Sequence, residues 1–357
     1  MHWMHTFPVP LLAGRGCFEQ IGGHLRLGTW LLITTRGAVR RGWADRLQAQ
    51  LSGGCGLMVC DEVTPNPELE HLDALTQRYR ELPLSGLVAI GGGSVLDTAK
   101  TLSVTLPSTL PTPLSTCFRA GRPQHWPQPL PVVAVPTTSG TGAEVTPFAT
   151  VWDRAAHKKH SVAGPQLYPT LAVLDPCLTV SLPAQETLYT GLDATSHALE
   201  SIWNRNSTPI TQAFAWHALV LIADAFPKAL RNGADLDARE AVQQASVLAG
   251  LAIGQTRTAI AHSISYPLTS HYGVPHGLAC SFTLPHLIRE NMAFFGETHE
   301  PIARKILRLL ESLLLGQEVR KFTQADLLTL QNEMLSPARS ANYVGNIDIE
   351  RIIRSSV

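Results

Sequence analysis

The sequence has no excess of charge of either sign and few charged residues. Lys and Arg together number 28, as do Asp and Glu, and charged residues make up only 16% of the 357-residue chain. A balanced charge argues against the basic surfaces that bind nucleic acid or anionic membranes. Hydrophobic residues reach 45%, which is not the composition of a disordered protein. We expect an ordered globular protein with neither a nucleic-acid nor a membrane partner.

Clustered cysteines are also absent. The six cysteines have neither the spacing of a metal site nor that of a disulfide framework; they are Cys17, Cys55, Cys60, Cys117, Cys177 and Cys280. The N-terminal residues MHWMHTFPVP lack the basic segment and apolar run of a signal peptide, and no stretch approaches a membrane span. We expect reduced, mostly buried thiols in a cytoplasmic protein.

The first half of the sequence alternates short apolar runs with amphipathic segments. The apolar runs cover residues 29–36, 56–60, 86–93, 131–140 and 171–176, and helical patterns lie at about 38–52, 67–82 and 94–104. Continuous apolar runs are typical of strands that are buried on both faces of a parallel sheet. The alternation predicts a doubly wound, Rossmann-like α/β domain over residues 1–180. The proline-rich residues 107–131 are interpreted as an irregular excursion between two strands.

Beyond residue 181 the strand-like runs disappear. Helical patterns cover residues 184–205, 208–230, 237–254, 258–271 and 278–293, and polar helical segments follow towards the C-terminus. The sequence therefore predicts a second, all-helical domain over residues 181–357.

Asp193, His197, His262 and His276 form a candidate metal site in this helical half. Asp193 and His197 are four residues apart, so a helix would place both on one face. Three imidazoles and one carboxylate, with no cysteine nearby, suit a divalent metal such as Fe²⁺ or Zn²⁺. A single histidine on an apolar helix is more often a core residue, but four candidates together favour a metal centre.

The sequence GGGSVLDTAK (91–100) follows an apolar run and opens a helical pattern. Gly92 and Gly93 would let the backbone turn tightly, Ser94 would cap the helix, and Asp97 would complete a capping box. The free N–H groups of such a first turn favour a pyrophosphate. The spacing is not that of the G-x-G-x-x-G fingerprint, and a glycine-rich turn can simply close a tight connection.

A second polar turn, PTTSGTGAEVT (136–146), follows the next apolar run. Its hydroxyl-bearing residues include Thr137, Thr138 and Thr141, and the carboxyl ends of parallel strands are where ligands bind in open α/β sheets. An ordinary polar loop is the alternative. Two such turns followed by a metal set favour a nucleotide site.

These motifs resemble those of the iron-containing, or group III metal-dependent, alcohol dehydrogenases. GGGSVLDTAK and PTTSGTGAE look like the two nucleotide motifs of that family, and GLDATSHALE with His262 and His276 looks like its metal ligands. The resemblance covers nearly the whole length. It implies a dehydroquinate synthase-like architecture, a dinucleotide-binding domain, a helical domain, a divalent metal in the cleft between them, and a homodimer.

Two positions depart from the pattern of the family. Tyr266 stands where many members have a histidine that is thought to relay protons. Thr35 and Arg36 stand where an aspartate often selects NAD. Because the carboxylate is missing and a guanidinium is available, we predict NADPH rather than NADH; the alternative is that Arg36 is an ordinary solvated residue.

Arg257 precedes the third predicted metal ligand, in QTRTAIAH. A guanidinium there would bind a phosphonate or carboxylate, although an ion pair between helices is the alternative. With Tyr266, this segment resembles the phosphonoacetaldehyde reductases (2-hydroxyethylphosphonate dehydrogenases) within the family. Lys158 and Lys159 lie where the family has a lysine near the cofactor or substrate, or in an exposed loop.

The resemblance therefore implies reduction of a short, anionic aldehyde, most specifically phosphonoacetaldehyde in phosphonate biosynthesis. The metal would polarise the carbonyl, the nicotinamide would supply the hydride, and Tyr266 or His271 would relay the proton. A general short-chain alcohol dehydrogenase is the first alternative. A dehydroquinate-synthase-like lyase would need a glutamate-led metal set and a Lys/Arg-rich pocket, and a non-catalytic nucleotide-binding scaffold would not need the metal ligands.

Overall fold

The computed structural model describes residues 2–156 and 158–357, which form two compact units. The α/β unit comprises Phe7–Thr138 and Ala143–Thr179. The helical unit comprises Ser139–Gly142 and Val180–Val357, together with the N-terminal residues through Thr6. The predicted fold class, a parallel sheet domain followed by a helical one, is confirmed.

The strands of the α/β unit alternate with helices along the chain. The strands are β1 (Leu11–Ala13), β2 (Gly28–Ile33), β3 (Cys55–Cys60), β4 (Leu84–Gly91), β5 (Val132–Pro136), β6 (Phe148–Asp153), β7 (Lys158–Ala163) and β8 (Leu171–Leu174). Within the described residues, a six-stranded sheet has the order β1-β8-β5-β4-β2-β3, and each of its pairs is parallel. The carboxyl ends of β4 and β5 are therefore neighbours.

Both faces of this sheet are covered. Successive residues of β2 point to opposite sides: Trp30 and Leu32 pack into the core on one face, and Leu31 and Ile33 pack into the core on the other. All four side chains are at most 2% exposed. Burial on both sides explains why the strands read as continuous apolar runs.

The helices of this unit are α1 (Arg36–Arg40), α2 (Trp43–Gln48), α3 (Leu69–Tyr79), α4 (Gly93–Thr105) and α5 (Pro113–Phe118). The helix predicted over residues 38–52 is two short helices. Gly42 separates them with a φ of 76°, a left-handed conformation that glycine adopts at little cost.

The antiparallel hairpin β6–β7 was not predicted, and the proline-rich stretch before it contains helix α5. Arg119, which follows α5, binds Asp153 at the end of β6 through two hydrogen bonds: Nε to Oδ2 at 2.8 Å and Nη2 to Oδ1 at 2.7 Å. These bonds hold the pKa of Asp153 down at about 2. The hairpin is therefore fastened to the preceding segment by a charge-assisted pair.

The helical unit is built from α6 (Ala184–Ile202), α7 (Pro209–Arg231), α8 (Leu236–Thr256), α9 (Ile260–Tyr272), α10 (His276–Ala279), α11 (Leu284–Glu290), α12 (Met292–Ser312), α13 (Leu315–Arg320), α14 (Gln331–Met334), α15 (Pro337–Ser340) and α16 (Ile349–Arg354). The helix predicted over 278–293 is interrupted between α10 and α11, where Pro285 stands in the first turn of α11. Proline has no backbone N–H to continue a preceding helix.

Helix α7 is long and apolar enough to cross a membrane by length and composition alone, contrary to the sequence-based expectation. Half of the most apolar stretch of α7 is buried inside the structure. Residues such as Leu219, Ile222 and Phe226 belong to the core of the helical unit. A helix in the core of a globular protein can be equally long and apolar.

Candidate metal centre and cofactor-binding loops

Helix α6 presents Asp193, His197 and Glu200 on one face, because these residues are four and three positions apart. Their exposures are 4%, 7% and 0%. The helix packs closely on α7: a Cβ at Gly191 would lie 2.2 Å from the ring of Phe226, which only glycine avoids. This contact lies on nearly the opposite side of α6 from Asp193, and the low exposures show that the polar face is buried as well.

Three imidazoles converge on one carboxylate oxygen. The Nε2 atoms of His197, His262 and His276 lie 3.6, 3.4 and 3.8 Å from Asp193 Oδ1. The rings of His197 and His262 stack with centroids 4.8 Å apart, and His276 approaches His262 edge-on at 5.2 Å. The structure thus brings all four predicted metal ligands together.

His262 Nε2 is the atom that most clearly needs a ligand. His262 is 2% exposed, and its Nε2 has no hydrogen-bond partner among the residues that the structure describes. A buried polar nitrogen without a partner costs free energy. The three nitrogens and one oxygen around this point are donors that Fe²⁺ and Zn²⁺ accept, so the residues present fit a divalent metal.

Cys280 also lies at this cluster, and the expectation that no cysteine is nearby is wrong. Ligand atoms of Asp193, His262, His276 and Cys280 all lie within 4.8 Å of one another; His197 is outside this mutually close group. Cys280 Sγ donates to Asp193 Oδ1 at 3.5 Å, and burial raises the pKa of the thiol well above its usual value. Cys280 follows His276 by four residues, so one helical turn returns it to the same side.

Glu200 is a functional candidate that the sequence reasoning missed. Its Oε2 accepts a hydrogen bond from His262 Nδ1 at 2.7 Å, and its two oxygens also accept from the backbone N–H groups of Ala259, Ala261 and His262 at 2.9, 2.6 and 3.1 Å. A proton fixed on Nδ1 leaves the Nε2 lone pair free for a metal. The available signal was its position three residues after His197 on the same helical face.

The charges of the cluster favour a cation. Burial alone would raise the pKa of Asp193, but His197, His262 and His276 hold it well below its usual range. Burial opposes protonation of His262, yet the carboxylates of Glu200 and Asp193 outweigh burial and raise its pKa to about 10. Two ionised carboxylates are thus confined with imidazoles in a buried site, where a divalent ion gains most from their charge.

The two predicted proton-relay residues have different surroundings. The ring of Tyr266 is parallel to that of His276 within 4°, with centroids 6.4 Å apart. His271 instead pairs with Glu333, with Nε2 and Oε2 2.8 Å apart, and its side chain is 36% exposed. The structure places Tyr266 beside a predicted metal ligand and ties His271 to a surface carboxylate.

Arg257 ends helix α8 in an unusual backbone conformation, with φ 66° and ψ 166°, a region that is nearly reserved for glycine. Three asparagine side chains hold this turn: the Nδ2 groups of Asn204, Asn206 and Asn342 donate to the carbonyls of residues 257, 256 and 258 at 2.9, 3.1 and 2.9 Å. The side chain is exposed. Strain of this kind persists only where the surroundings enforce it.

The two glycine- and threonine-rich loops meet at one end of the sheet. Gly91 is in register with Pro136, and Thr137 N donates to Gly91 O at 2.9 Å. A Cβ at Gly92 would lie 3.2 Å from Thr138 Cγ2. Gly93 then begins α4, whose thirteen residues give a full helix dipole. The predicted residues Gly92, Gly93, Thr137 and Thr138 thus form a polar, closely packed edge.

The predicted capping box at Ser94 and Asp97 is wrong, because Gly92 is the N-cap of α4 and no side chain caps it. Ser94 Oγ accepts instead from Asn66 N at 3.2 Å, and Asp97 Oδ2 accepts from Thr150 N at 2.9 Å. No side chain caps the first turn of α4, and Val95 N donates to Gly92 O at 2.9 Å, so the N–H groups of Gly93 and Ser94 are the ones that a ligand could use.

Lys100, the last residue of the same motif, is fully buried. Its Nζ donates to the carbonyl oxygens of Ala143 and Thr146 at 2.9 and 3.1 Å. Burial lowers the pKa of Lys100 to about 8 and raises that of the nearby Glu144 carboxyl to about 7. This lysine therefore fastens α4 to the chain that follows the second polar loop.

Thr141 belongs to the segment Ser139–Gly142, which is part of the helical unit. The next residue, Gly142, has a φ of 61°, and a Cβ there would lie 2.5 Å from the Cα of Gly250 in α8. Only glycine permits this approach.

The remaining predicted cofactor and substrate residues lie in the α/β unit. Thr35 is the N-cap of α1, where its Oγ1 accepts from Ala38 N at 3.2 Å, and Arg36 is exposed beside it. Lys158 and Lys159 are in β7 rather than in a loop. Lys158 is exposed, and Lys159 Nζ lies 5.4 Å from the ring centroid of Trp152.

Comparison with known proteins identifies the family. Residues 8–176 match the family model described as iron-containing alcohol dehydrogenase, and residues 187–349 match the C-terminal region of the same family. This chain belongs to the iron-containing alcohol dehydrogenase family. The predicted family and enzyme class are confirmed: the chain is a nicotinamide-dependent alcohol dehydrogenase or aldehyde reductase. The lyase and non-catalytic alternatives are therefore set aside.

Several members of this family are similar over most of the chain. The phosphonoacetaldehyde reductase of Streptomyces viridochromogenes is 35% identical over 88% of this chain and 83% of its own length. The NAD-dependent methanol dehydrogenase of Bacillus methanolicus is 31% identical, over 89% and 81% respectively. The crystal structure of a sulfoacetaldehyde reductase from Bifidobacterium kashiwanohense, in complex with NAD⁺, has a TM-score of 0.89 at 28% identity and covers 100% of this chain and 98% of that one.

Proposed function

We propose that this family member reduces a short aldehyde that carries an anionic group, and that phosphonoacetaldehyde is its substrate and 2-hydroxyethylphosphonate its product, in phosphonate biosynthesis. Arg257 carries this proposal, since its strained backbone is held immediately before the segment that leads to His262. The names of two similar proteins, a phosphonoacetaldehyde reductase and a sulfoacetaldehyde reductase, point to the same class of substrate.

Asp193, His197, His262 and His276 are the proposed ligands of the metal, which we take to be Fe²⁺ or Zn²⁺. Two observations support this assignment: the three imidazoles converge on Asp193 Oδ1, and the buried His262 Nε2 has no hydrogen-bond partner among the described residues. When bound, the metal supplies Lewis-acid polarisation of the carbonyl, and the nicotinamide supplies the reducing equivalents. The protein orients His262 through Glu200 and buries Asp193, His197 and His262, which strengthens the electrostatic interactions at the site.

Gly92, Gly93, Ser94, Asp97, Thr137, Thr138, Thr141 and Lys159 are the proposed cofactor-binding residues. Among them, the first turn of α4 has the strongest support, because its N–H groups are not capped by a side chain. Asp97 has the weakest support, since its carboxylate is already engaged by Thr150 N. We propose NADPH as the cofactor, because Thr35 caps α1 at the position where an aspartate often selects NAD, and the guanidinium of Arg36 is exposed beside it.

Tyr266 is the better supported of the two proposed proton-relay residues. Its ring lies parallel to that of His276, whereas His271 pairs with Glu333 at the surface. In this proposal the Tyr266 hydroxyl donates a proton towards the substrate oxygen and is replenished from water. Lys158, which is exposed on β7, is a proposed substrate residue that would contribute positive charge.

Steady-state kinetics of the metal-loaded enzyme test the proposed function. The wild type should reduce phosphonoacetaldehyde with a higher kcat/KM than propanal or glycolaldehyde, and a chelator should abolish all three activities. Arg257→Ala should lower kcat/KM for the phosphonate far more than for propanal, because remote binding energy positions the carbonyl. Arg304→Ala, which removes a surface arginine paired with Glu300, is the matched control.

A wild type that prefers uncharged aldehydes would overturn the phosphonate substrate and leave a general short-chain alcohol dehydrogenase, as the similar methanol dehydrogenase suggests. We also propose a homodimer in the cytoplasm; sedimentation of the purified enzyme at several concentrations tests the dimer, and cell fractionation tests the location.

A further inference from the structure

A row of three side chains leads away from the metal cluster. The ring of Tyr266 is parallel to that of His276, with centroids 6.4 Å apart. The guanidinium carbon of Arg339, in α15, lies 4.2 Å from the centroid of Tyr266. A cation at this distance from an aromatic face is attracted to it, so Tyr266 holds Arg339 one ring away from a proposed metal ligand.

The segments on either side of Arg339 are hydrogen-bonded to the helix that carries His262 and to the turn that precedes this helix. Ser336 N donates to Ser263 Oγ at 2.9 Å, and Ser263 Oγ donates to Met334 O at 2.6 Å. On the other side, Asn342 Nδ2 donates to Thr258 O at 2.9 Å. The short helix α15 is thus tied to Ser263, next to His262, and to Thr258, next to Arg257.

The donors of Arg339 are largely unused by the protein. Its side chain makes one hydrogen bond, from Nη1 to Ser336 Oγ at 3.3 Å, and no carboxylate in the described part of the chain lies within 4.0 Å of it. Other arginines of this unit, such as Arg289 and Arg351, are paired with glutamates. A guanidinium has five N–H donors and can bind an oxyanion through two parallel hydrogen bonds.

We propose that Arg339 is a specificity-determining residue that binds the anionic group of the substrate together with Arg257. This inference rests on the proposed function. The shared chemistry is a tetrahedral oxyanion attached to a short aldehyde, either a phosphonate or a sulfonate. Two guanidiniums suit the dianionic phosphonate better than the monoanionic sulfonate, because each can compensate one charge.

The test compares Arg339→Ala, Arg339→Lys and Arg304→Ala with the wild type, all loaded with metal. The measurements are kcat/KM for phosphonoacetaldehyde, sulfoacetaldehyde and propanal, and the inhibition constant of ethylphosphonate, which has the anion without the carbonyl. Arg339→Ala should lower kcat/KM for phosphonoacetaldehyde about 10–100-fold and weaken ethylphosphonate by a similar factor. The loss for propanal should be much smaller, and the loss for sulfoacetaldehyde should be intermediate.

The failure of this inference differs from the failure of the proposed function. If the wild type prefers propanal, the proposed function and this inference are both wrong. If the wild type prefers an anionic aldehyde but Arg339→Ala lowers all three substrates equally, or leaves ethylphosphonate binding unchanged, only the role of Arg339 is wrong. If Arg339→Ala does not fold, Arg339→Lys tests the role of Arg339 instead. Lysine keeps a cation over Tyr266 but cannot donate two parallel hydrogen bonds to the anion, so kcat/KM should still fall selectively for the anionic aldehydes.

Discussion

The two units prepare their binding sites with different parts of the chain. In the α/β unit the candidate site is mostly backbone: it lies in the turns that follow β4 and β5, where a Cβ at Gly91 would lie 2.5 Å from Val95 Cγ2 and no side chain caps the first turn of α4. In the helical unit it is made of buried or half-buried side chains from α6, α9 and α10 that converge on Asp193 Oδ1. A backbone site tolerates many sequences outside its glycines, whereas the side-chain site depends on each ligand and on the residues that orient it.

The largest effect should come from removing a metal ligand in the helical unit. His276→Ala should weaken metal binding by more than about 100-fold, since changes to residues that only support a ligand already cost about 10–100-fold. Because the proposed cofactor-binding residues other than Thr141 lie in the other unit, NADPH binding should persist. Metal content by elemental analysis and NADPH binding by fluorescence check both halves of this expectation; full metal occupancy in His276→Ala would contradict the assignment.

Glu200→Gln should have the next largest effect, a loss of about 10–100-fold in metal affinity. Glutamine retains the shape but cannot accept all four of the hydrogen bonds that converge on Glu200. Metal titration against a competing chelator, far below the unfolding temperature, measures the effect. Glu186→Gln, at an exposed position in the first turn of the same helix, is the control. If Glu200→Gln only lowers the melting temperature, Glu200 is structural and does not orient His262.

Cofactor preference tests the backbone-built unit, where a side chain should adjust rather than abolish binding. Thr35→Asp combined with Arg36→Ala should shift the ratio of kcat/KM from NADPH towards NADH. Losing a charge-assisted pair with the 2′-phosphate costs about 1.5–3 kcal/mol, or about 10–100-fold. Arg46→Ala, which removes the partner of Glu19, should leave the ratio as it is. Equal efficiency of the wild type with both cofactors would contradict the proposal.

The smallest effect should be structural and dependent on pH. Asp153→Asn should destabilise the protein by about 1–2 kcal/mol at pH 7, since Arg119 is partly exposed and solvent screens the pair. The folded-state pKa of Asp153, about 2, lies below the value of 3.8 for a free aspartate, so the stabilisation is complete above pH 4 and disappears as pH falls towards 2. Denaturant unfolding at several pH values should show the two proteins converging in acid; a constant difference would rule out this pair as the cause.

The strands and the metal ligands could be predicted from sequence for physical reasons. The strands are buried on both faces, so Val88 and Ile90 face one core while Leu87 and Ala89 face the other, and all read as apolar. Asp193 and His197 were found because helical spacing alone places them together.

What was missed depends on contacts between segments that are distant in sequence. Glu200 bonds residues about sixty positions away, and Cys280 reaches Asp193 across eighty-seven. The hairpin β6–β7 was missed because its charged second strand, KKHSVA, reads as a loop, although Asp153 is paired with Arg119. Arg339 could not be found from spacing, because only the tertiary fold brings α15 over Tyr266.

The buried lysine of the first loop motif has a practical consequence. Lys100 has no exposed surface, whereas the other five lysines of the chain are at least partly exposed. An amine-reactive reagent can acylate Lys100 only after α4 has separated from the carbonyls of Ala143 and Thr146. The rate at which Lys100 is labelled therefore reports how often the α/β unit opens, and mass spectrometry can measure it against the fast-reacting lysines of the same sample. A cofactor that binds this edge of the sheet should slow the labelling of Lys100.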